Sequence, residues 1–256
     1  MSQKATFSLL LPAVLLAGAC ILAGCVDTGT IESQSPTAPA HVGNETEFHF
    51  SGQGNASADT HLSEGLHLLK FHVKKPAGSY PDDSTVEITT EQDGFFIKGS
   101  FTEGAYEAAE DDIWYNWSQI FVITETADTT VEVRQKGDWS LTITPSVMIN
   151  GVPPQSFTGV GNAATPFFMI PAGEYSCKIT MEEGTVIGAH LIRYDGTLLM
   201  ENDQQVPLAM HELRNENYEL QVGNYTSTLP VTIHDSDNYL FNIISDGIWS
   251  VTISPA

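Results

Sequence analysis

The side chains best suited to hold a ligand are acidic. Glu107, Glu110, Asp111 and Asp112 fall in one short stretch, Asp82 and Asp83 in a second, and Asp235, Asp237 and Asn238 in a third. Calcium takes about six to eight oxygens from carboxylates and carbonyls, which loops between strands supply readily. The 107–112 group is the candidate metal site, with calcium the one cofactor considered, although its spacing does not follow the helix–loop–helix calcium pattern and an acid-rich chain clusters some of its acids anyway. That group runs straight into Trp114, Tyr115 and Trp117, aromatic rings that can stack on sugars or anchor a partner. Strand alternation places Trp114 on one face and Tyr115 and Trp117 on the other, so one face is expected to be core. Among the histidines only His61, His67 and His72 crowd together, and His67 and His72 are an odd number of residues apart, hence on opposite strand faces. No Gly-x-Ser-x-Gly elbow, His-Glu-x-x-His helix or Cys-x-x-Cys pair occurs. Gly52-Gln53-Gly54 and Gly159-Val160-Gly161 lack the Lys-Ser/Thr and helix of a phosphate loop and read as β-turns. The expectation is a protein without catalytic function.

Charge narrows the partners. The chain carries 32 acidic against 10 basic residues, a net of −22. Such a surface repels nucleic acid and anionic headgroups and favours cations, basic partners or plain solubility. Of the three cysteines, Cys20 and Cys25 lie in or at the end of an apolar leader. Only Cys177 remains for the folded part, so no disulfide framework is expected, and its place in the alternation Tyr175-Cys177-Ile179 marks it as a small buried hydrophobe.

The leader has Lys4, an apolar stretch from Phe7 to Leu16, and then Leu22-Ala23-Gly24-Cys25. It resembles the lipobox of prokaryotic lipoproteins. That resemblance implies removal of residues 1–24, lipidation of Cys25 with a diacylglycerol group, and anchoring to the outer face of the cell membrane. Residues 25–47, rich in Ser, Thr, Pro and Gly and without hydrophobic periodicity, read as a flexible tether.

Beyond the tether the chain repeats itself. Gly52-Gln53-Gly54-Asn55-Ala56 matches Gly159-Val160-Gly161-Asn162-Ala163. Aligning Phe121 onward with Val231 onward gives seven identities in 26 ungapped positions, including Gly137 and Trp139 with Gly247 and Trp249, which points to an internal duplication. Gly65 and Lys70 match Gly173 and Lys178, and Asn116-Trp117-Ser118 matches Asn224-Tyr225-Thr226 after a slip of two residues. Two domains are expected, 48–147 and 148–256.

Both halves read as β. In the first, Leu66-Leu68 with Phe71-Val73, Val86-Ile88, Phe95-Ile97, Phe121-Ile123, Val131-Val133 and Trp139-Leu141-Ile143 show strand spacing. In the second the same holds for Phe167-Met169, Tyr175-Cys177-Ile179, Val186 with Ala189-Leu191, Tyr218-Leu220-Val222, Val231-Ile233, Leu240-Asn242-Ile244 and Trp249-Val251-Ile253. Turn signals such as Gln92-Asp93-Gly94 and Tyr194-Asp195-Gly196 separate them. The fold class is therefore all-β: two tandem antiparallel, jelly-roll-like β-sandwiches. Trp139 and Trp249 are expected to plug the two cores from the last strand of each half. The Gly-x-Gly-Asn start and the final Gly-x-Trp-Ser-[Leu/Val]-Thr-Ile strand resemble the small β-sandwich modules of prokaryotic surface proteins, archaeal ones included. Sequons at Asn44, Asn55, Asn116 and Asn224 are candidate glycosylation sites on an exported chain.

Address and architecture together favour a non-catalytic, surface-exposed lipoprotein that binds an extracellular protein or glycan. Its partners would be the membrane, through the lipid, and that ligand, but not nucleic acid. The alternatives are a structural or accessory subunit of an envelope assembly, and a secreted hydrolase using the acidic loop residues.

Overall fold

Alternating apolar residues punctuated by turn glycines produce strands, and no helix, among the described residues. The structure, a computed structural model, describes residues 47–74, 84–98 and 114–256. Cys25, Asn44, Asp82, Asp83 and the cluster Glu107, Glu110, Asp111 and Asp112 lie outside the described residues, as do the leader and all of the tether except Glu47.

The first run of strands is β1 (Phe48–Gln53), β2 (Ala56–Leu62), β3 (Gly65–Lys74), β4 (Thr85–Thr89), β5 (Gly94–Lys98), β6 (Trp114–Ile123), β7 (Ala127–Arg134) and β8 (Asp138–Thr144). They form two four-stranded antiparallel sheets of order β1-β8-β3-β6 and β2-β7-β4-β5. The second run is β9 (Gln155–Val160), β10 (Ala163–Ala164), β11 (Phe168–Ile170), β12 (Gly173–Gly184), β13 (Val186–Arg193), β14 (Met200–Glu201), β15 (Gln204–Gln205), β16 (Pro207–Glu212), β17 (Gly223–Ile233), β18 (Asp237–Ser245) and β19 (Ile248–Pro255). Its main sheets have the orders β9-β19-β12-β17 and β10-β18-β13-β16, with β11 added on β18 and β14 paired with β15. Writing β9, β10, β12, β13, β16, β17, β18 and β19 for β1 to β8 in turn converts the first pair of orders into the second.

Each run encloses its own apolar cluster, fed from both of its sheets. In the first, Leu69, Phe71 and Val73 of β3 and Trp117 of β6 meet Val86 and Ile88 of β4 and Val131 and Val133 of β7. In the second, Cys177, Ile179 and Met181 of β12 meet Ile187, Ala189 and Leu191 of β13 and Phe241 and Ile243 of β18.

A tryptophan ties the last strand of each run to its first. The indole Nε1 of Trp139 donates to the Gly54 carbonyl, and that of Trp249 to the Gly161 carbonyl, each at 2.8 Å. Gly54 and Gly161 stand at φ of 73° and 69°, the left-handed region that glycine enters without a side-chain clash. Their amides donate to the carbonyls of Gly137 and Gly247, both at 3.1 Å. Asn55 and Asn162 complete the corner, their Oδ1 atoms accepting from the amides of Gln135 and Ser245 at 3.0 Å. Across the ladder Gly52 faces Trp139 and Gly159 faces Trp249, leaving each ring to lie over bare backbone.

The two runs also pack on each other. Leu68 of β3 and Ile120 of β6 meet Phe167, Ile192 of β13 and Leu240 of β18 in a third apolar cluster, with Leu66, Ala164 and Leu198 at its margin. The outer edge of β6 is closed by the same contact. The Ser118 amide donates to the Asn162 carbonyl at 3.1 Å, the Ala164 amide donates to Ser118 Oγ at 3.0 Å, and the Ile120 amide reaches Asn242 Oδ1 at 3.4 Å. On β17, Pro230 faces Ser176 of β12 as Ile120 faces Leu68 of β3. Pro230 has no amide hydrogen to offer an outside partner.

A Cβ on Gly159 would come 2.4 Å from the Trp249 ring and 2.8 Å from a second ring atom. Gly159→Ala is therefore expected to destabilise the fold by about 1–3 kcal/mol, the range for overpacking a filled core. Thermal or urea unfolding reads the change, and a melting curve identical to wild type would show that the ring is not held over that backbone.

Candidate functional site

The two expected binding rings that can be placed are inside the protein. Tyr115 and Trp117 are 4% and 2% exposed, and Trp117 stacks on Phe71 with centroids 5.6 Å apart. Rings so enclosed present no face to a sugar, so their large apolar area goes into the core instead. Trp114 begins the same strand. The histidines do not converge. His61 bonds Asp128 at 2.9 Å, whereas His67 is buried, contacts the Ser63 carbonyl at 2.8 Å and stacks on Phe121. Asp237, from the third acidic group, receives the Arg193 guanidinium at 2.7 and 3.1 Å, and Asp235 lies 4.0 Å from the same group. An arginine thus supplies the positive charge there. No group of three or more metal-binding side chains comes together among the described residues.

Of the candidate glycosylation sites, Asn55, Asn116 and Asn224 are exposed. The two-residue slip in aligning Asn116 with Asn224 is not the register of the sheets. Trp117 faces Phe71 on β3 and Ser227 faces Ile179 on β12, which places Asn116 level with Thr226.

An exposed apolar patch lies elsewhere, in a segment whose alternation reads from sequence as a strand. Tyr218, Leu220 and Val222 are 80%, 53% and 55% exposed. They form the returning arm of a hairpin that continues β16 outward. Arg214 pairs with Leu220, the Gln221 amide donates to the Leu213 carbonyl at 2.9 Å, and the Asn215 amide donates to the Glu219 carbonyl at 2.9 Å. The tip is internally braced. Asn215 Oδ1 accepts from the amides of Asn217 and Glu219 at 2.9 and 3.0 Å, and the Tyr218 amide returns to the Asn215 carbonyl at 3.0 Å. Arg214 spans the arms, donating to Glu212 Oε2 and to the Tyr218 carbonyl. Tyr218 itself stands at φ 63°, which is uncommon for a bulky residue. At the base the Leu213 amide donates to the Thr185 carbonyl at 2.8 Å, and Thr185 is held by the buried Asp246 carboxylate. Leu213 packs on the core below, and His211 lies against Tyr225 with ring centroids 4.6 Å apart. Met210, on the outgoing arm, is 49% exposed.

Among the buried titratable groups, Cys177 and His190 are shifted in opposite directions. Burial pushes the Cys177 thiol up to about 12. Burial also lowers the pKa of His190, whose Nε2 atom has no hydrogen-bond partner among the described residues. His190 faces Pro207 on one side and Asn242 on the other.

No protein-family model matches the chain, and no curated protein matches it significantly in sequence.

Folding holds Cys177 protonated where the unfolded thiol would ionise, so stability is full below the ordinary thiol range and declines as pH rises toward about 12. The thiol contributes a slope of about 1.4 kcal/mol per pH unit within that window, and Cys177→Ala is expected to lose that contribution. Native Cys177 should also stay unlabelled by a thiol reagent that modifies the unfolded chain at once; rapid native labelling would contradict its burial. His190 works in the opposite direction, since folding disfavours its charged form. Stability is full above the ordinary histidine range and falls as acid protonates the unfolded state first. Acid unfolding followed by fluorescence should be shallower in His190→Gln than in wild type.

Proposed function

We propose that the chain is a non-catalytic lipoprotein of the outer membrane face, carrying two tandem jelly-roll-like β-sandwiches related by duplication, and that it binds an extracellular protein or glycan. The observation that carries the binding role is the braced hairpin. A protein that only had to fold would not direct Tyr218, Leu220 and Val222 into solvent from so well-held a mount. The duplication, with proposed domains 48–147 and 148–256, is supported by the matching strand orders and by two copies of the tryptophan–glycine corner. Leu22-Ala23-Gly24-Cys25 supports the lipid anchor, and residues 25–47 give it reach. The acidic balance argues against nucleic acid as the ligand.

Cys25→Ser tests the address. The variant is expected to leave the membrane fraction, while the wild-type N-terminal peptide carries a diacylglycerol mass. A variant that keeps full membrane retention after leader removal would refute lipid anchoring. Crosslinking on intact cells then tests the role: a saturable crosslink to one dominant surface protein or glycan is the expected result, and the absence of any such adduct would count against binding.

A further inference from the structure

We infer that the 210–222 hairpin is a docking surface for a protein whose contact face is apolar at its centre and basic at its rim. This rests on the reading of the chain as a binding protein and adds the site and the chemistry of its partner. Several observations converge on it. The alternation Tyr218-Leu220-Val222 has the pattern of a half-buried strand, yet the fold buries none of the three. Together they present one aromatic and two aliphatic side chains to solvent, and Met210 on β16 is exposed as well. Aliphatic groups gain little from a sugar and need apolar partner atoms, which a protein face supplies. The braces described above hold the arms before any partner arrives, so little conformational freedom is lost on docking.

Charge selects among apolar partners. Between positions 210 and 222 stand Glu212, Glu216 and Glu219 against Arg214 alone, and Arg214 is already engaged by Glu212. The patch is therefore rimmed by net negative charge on a chain of net −22. A second copy would bring the same rim and the same overall charge, and an anionic bilayer would repel both. Lysine or arginine around an apolar centre is the complement that fits.

The test uses the full mature chain and three families of extended ten-residue peptides. Each alternates Val, Leu or Tyr with Lys, with Ser, or with Glu. Fluorescence anisotropy is expected to detect the Lys family, to weaken about tenfold in Leu220→Ser/Val222→Ser, as loss of central contacts does, and to weaken further as salt rises to about 0.5 M. Tyr218→Asn, which keeps a residue tolerant of the left-handed backbone, should weaken it too. Both variants should melt with wild type, because the altered side chains are exposed. Equal binding of the Glu family, or no binding by any family, would overturn the proposal. So would self-association in sedimentation, or pelleting with phosphatidylcholine vesicles, if lost in the double variant, since a second copy or lipid would then be the occupant. Lys-family binding that both variants retain would place the contact elsewhere: it defeats the hairpin and leaves the binding role standing.

Discussion

The indole–carbonyl bond between last and first strands is the constraint on which the rest hangs. Trp139 and Trp249 can lie flat over β1 and β9 only because Gly52 and Gly159 carry no Cβ, and each ring is oriented by one bond, to Gly54 or Gly161. A buried indole N–H left unpaired would cost roughly 1–3 kcal/mol, so ring and glycine turn specify each other. With that corner closed, the last strand lies between the first strand and β3 or β12, and the register of the whole sheet follows. In a chain whose one described cysteine is unpaired, this packing does what crosslinks do in many exported domains.

The two runs share a plan but not a surface. Leu66 and Leu68 on β3 are apolar where β12 has Glu174 and Ser176. Conversely, Ile192 and Leu240 are apolar where β4 and β7 have Thr89 and Thr130. Each run thus has an apolar outer sheet face where the other run sits. The pair is matched once and in one order, which explains why a third apolar cluster exists at all.

Much of this was legible from residues alone. Strand spacing located β3, β4, β5, β7, β8, β12, β13, β18 and β19, and the Gly-x-Gly segments read as turns and the tryptophans as core residues, without showing that the two meet. Strands with weak apolar contrast were not legible. β2, Ala-Ser-Ala-Asp-Thr-His-Leu, is largely solvent-facing and so lacks the signal that burial writes into sequence. For the aromatics alternation stopped short, because a period of 2 tells which side chains share a face but not which face is inside. Tyr115 and Trp117 turned inward, and Tyr218, Leu220 and Val222 turned outward. One clue to the second case was available: Glu216 and Glu219 bracket Tyr218 within a tight Asn-rich stretch, the composition of a loop tip.

Pro230 has a consequence that reaches past one molecule. Wherever copies of a protein are crowded together, an open strand edge invites zippering into sheets of neighbours. On β17 that edge is interrupted at Pro230, and two residues on, the Thr232 amide is already taken by Glu201 Oε1 at 2.9 Å. The outward hydrogen-bonding row is broken where a neighbour would have to align. Crowded copies of this chain can therefore stay a population of individuals along that edge.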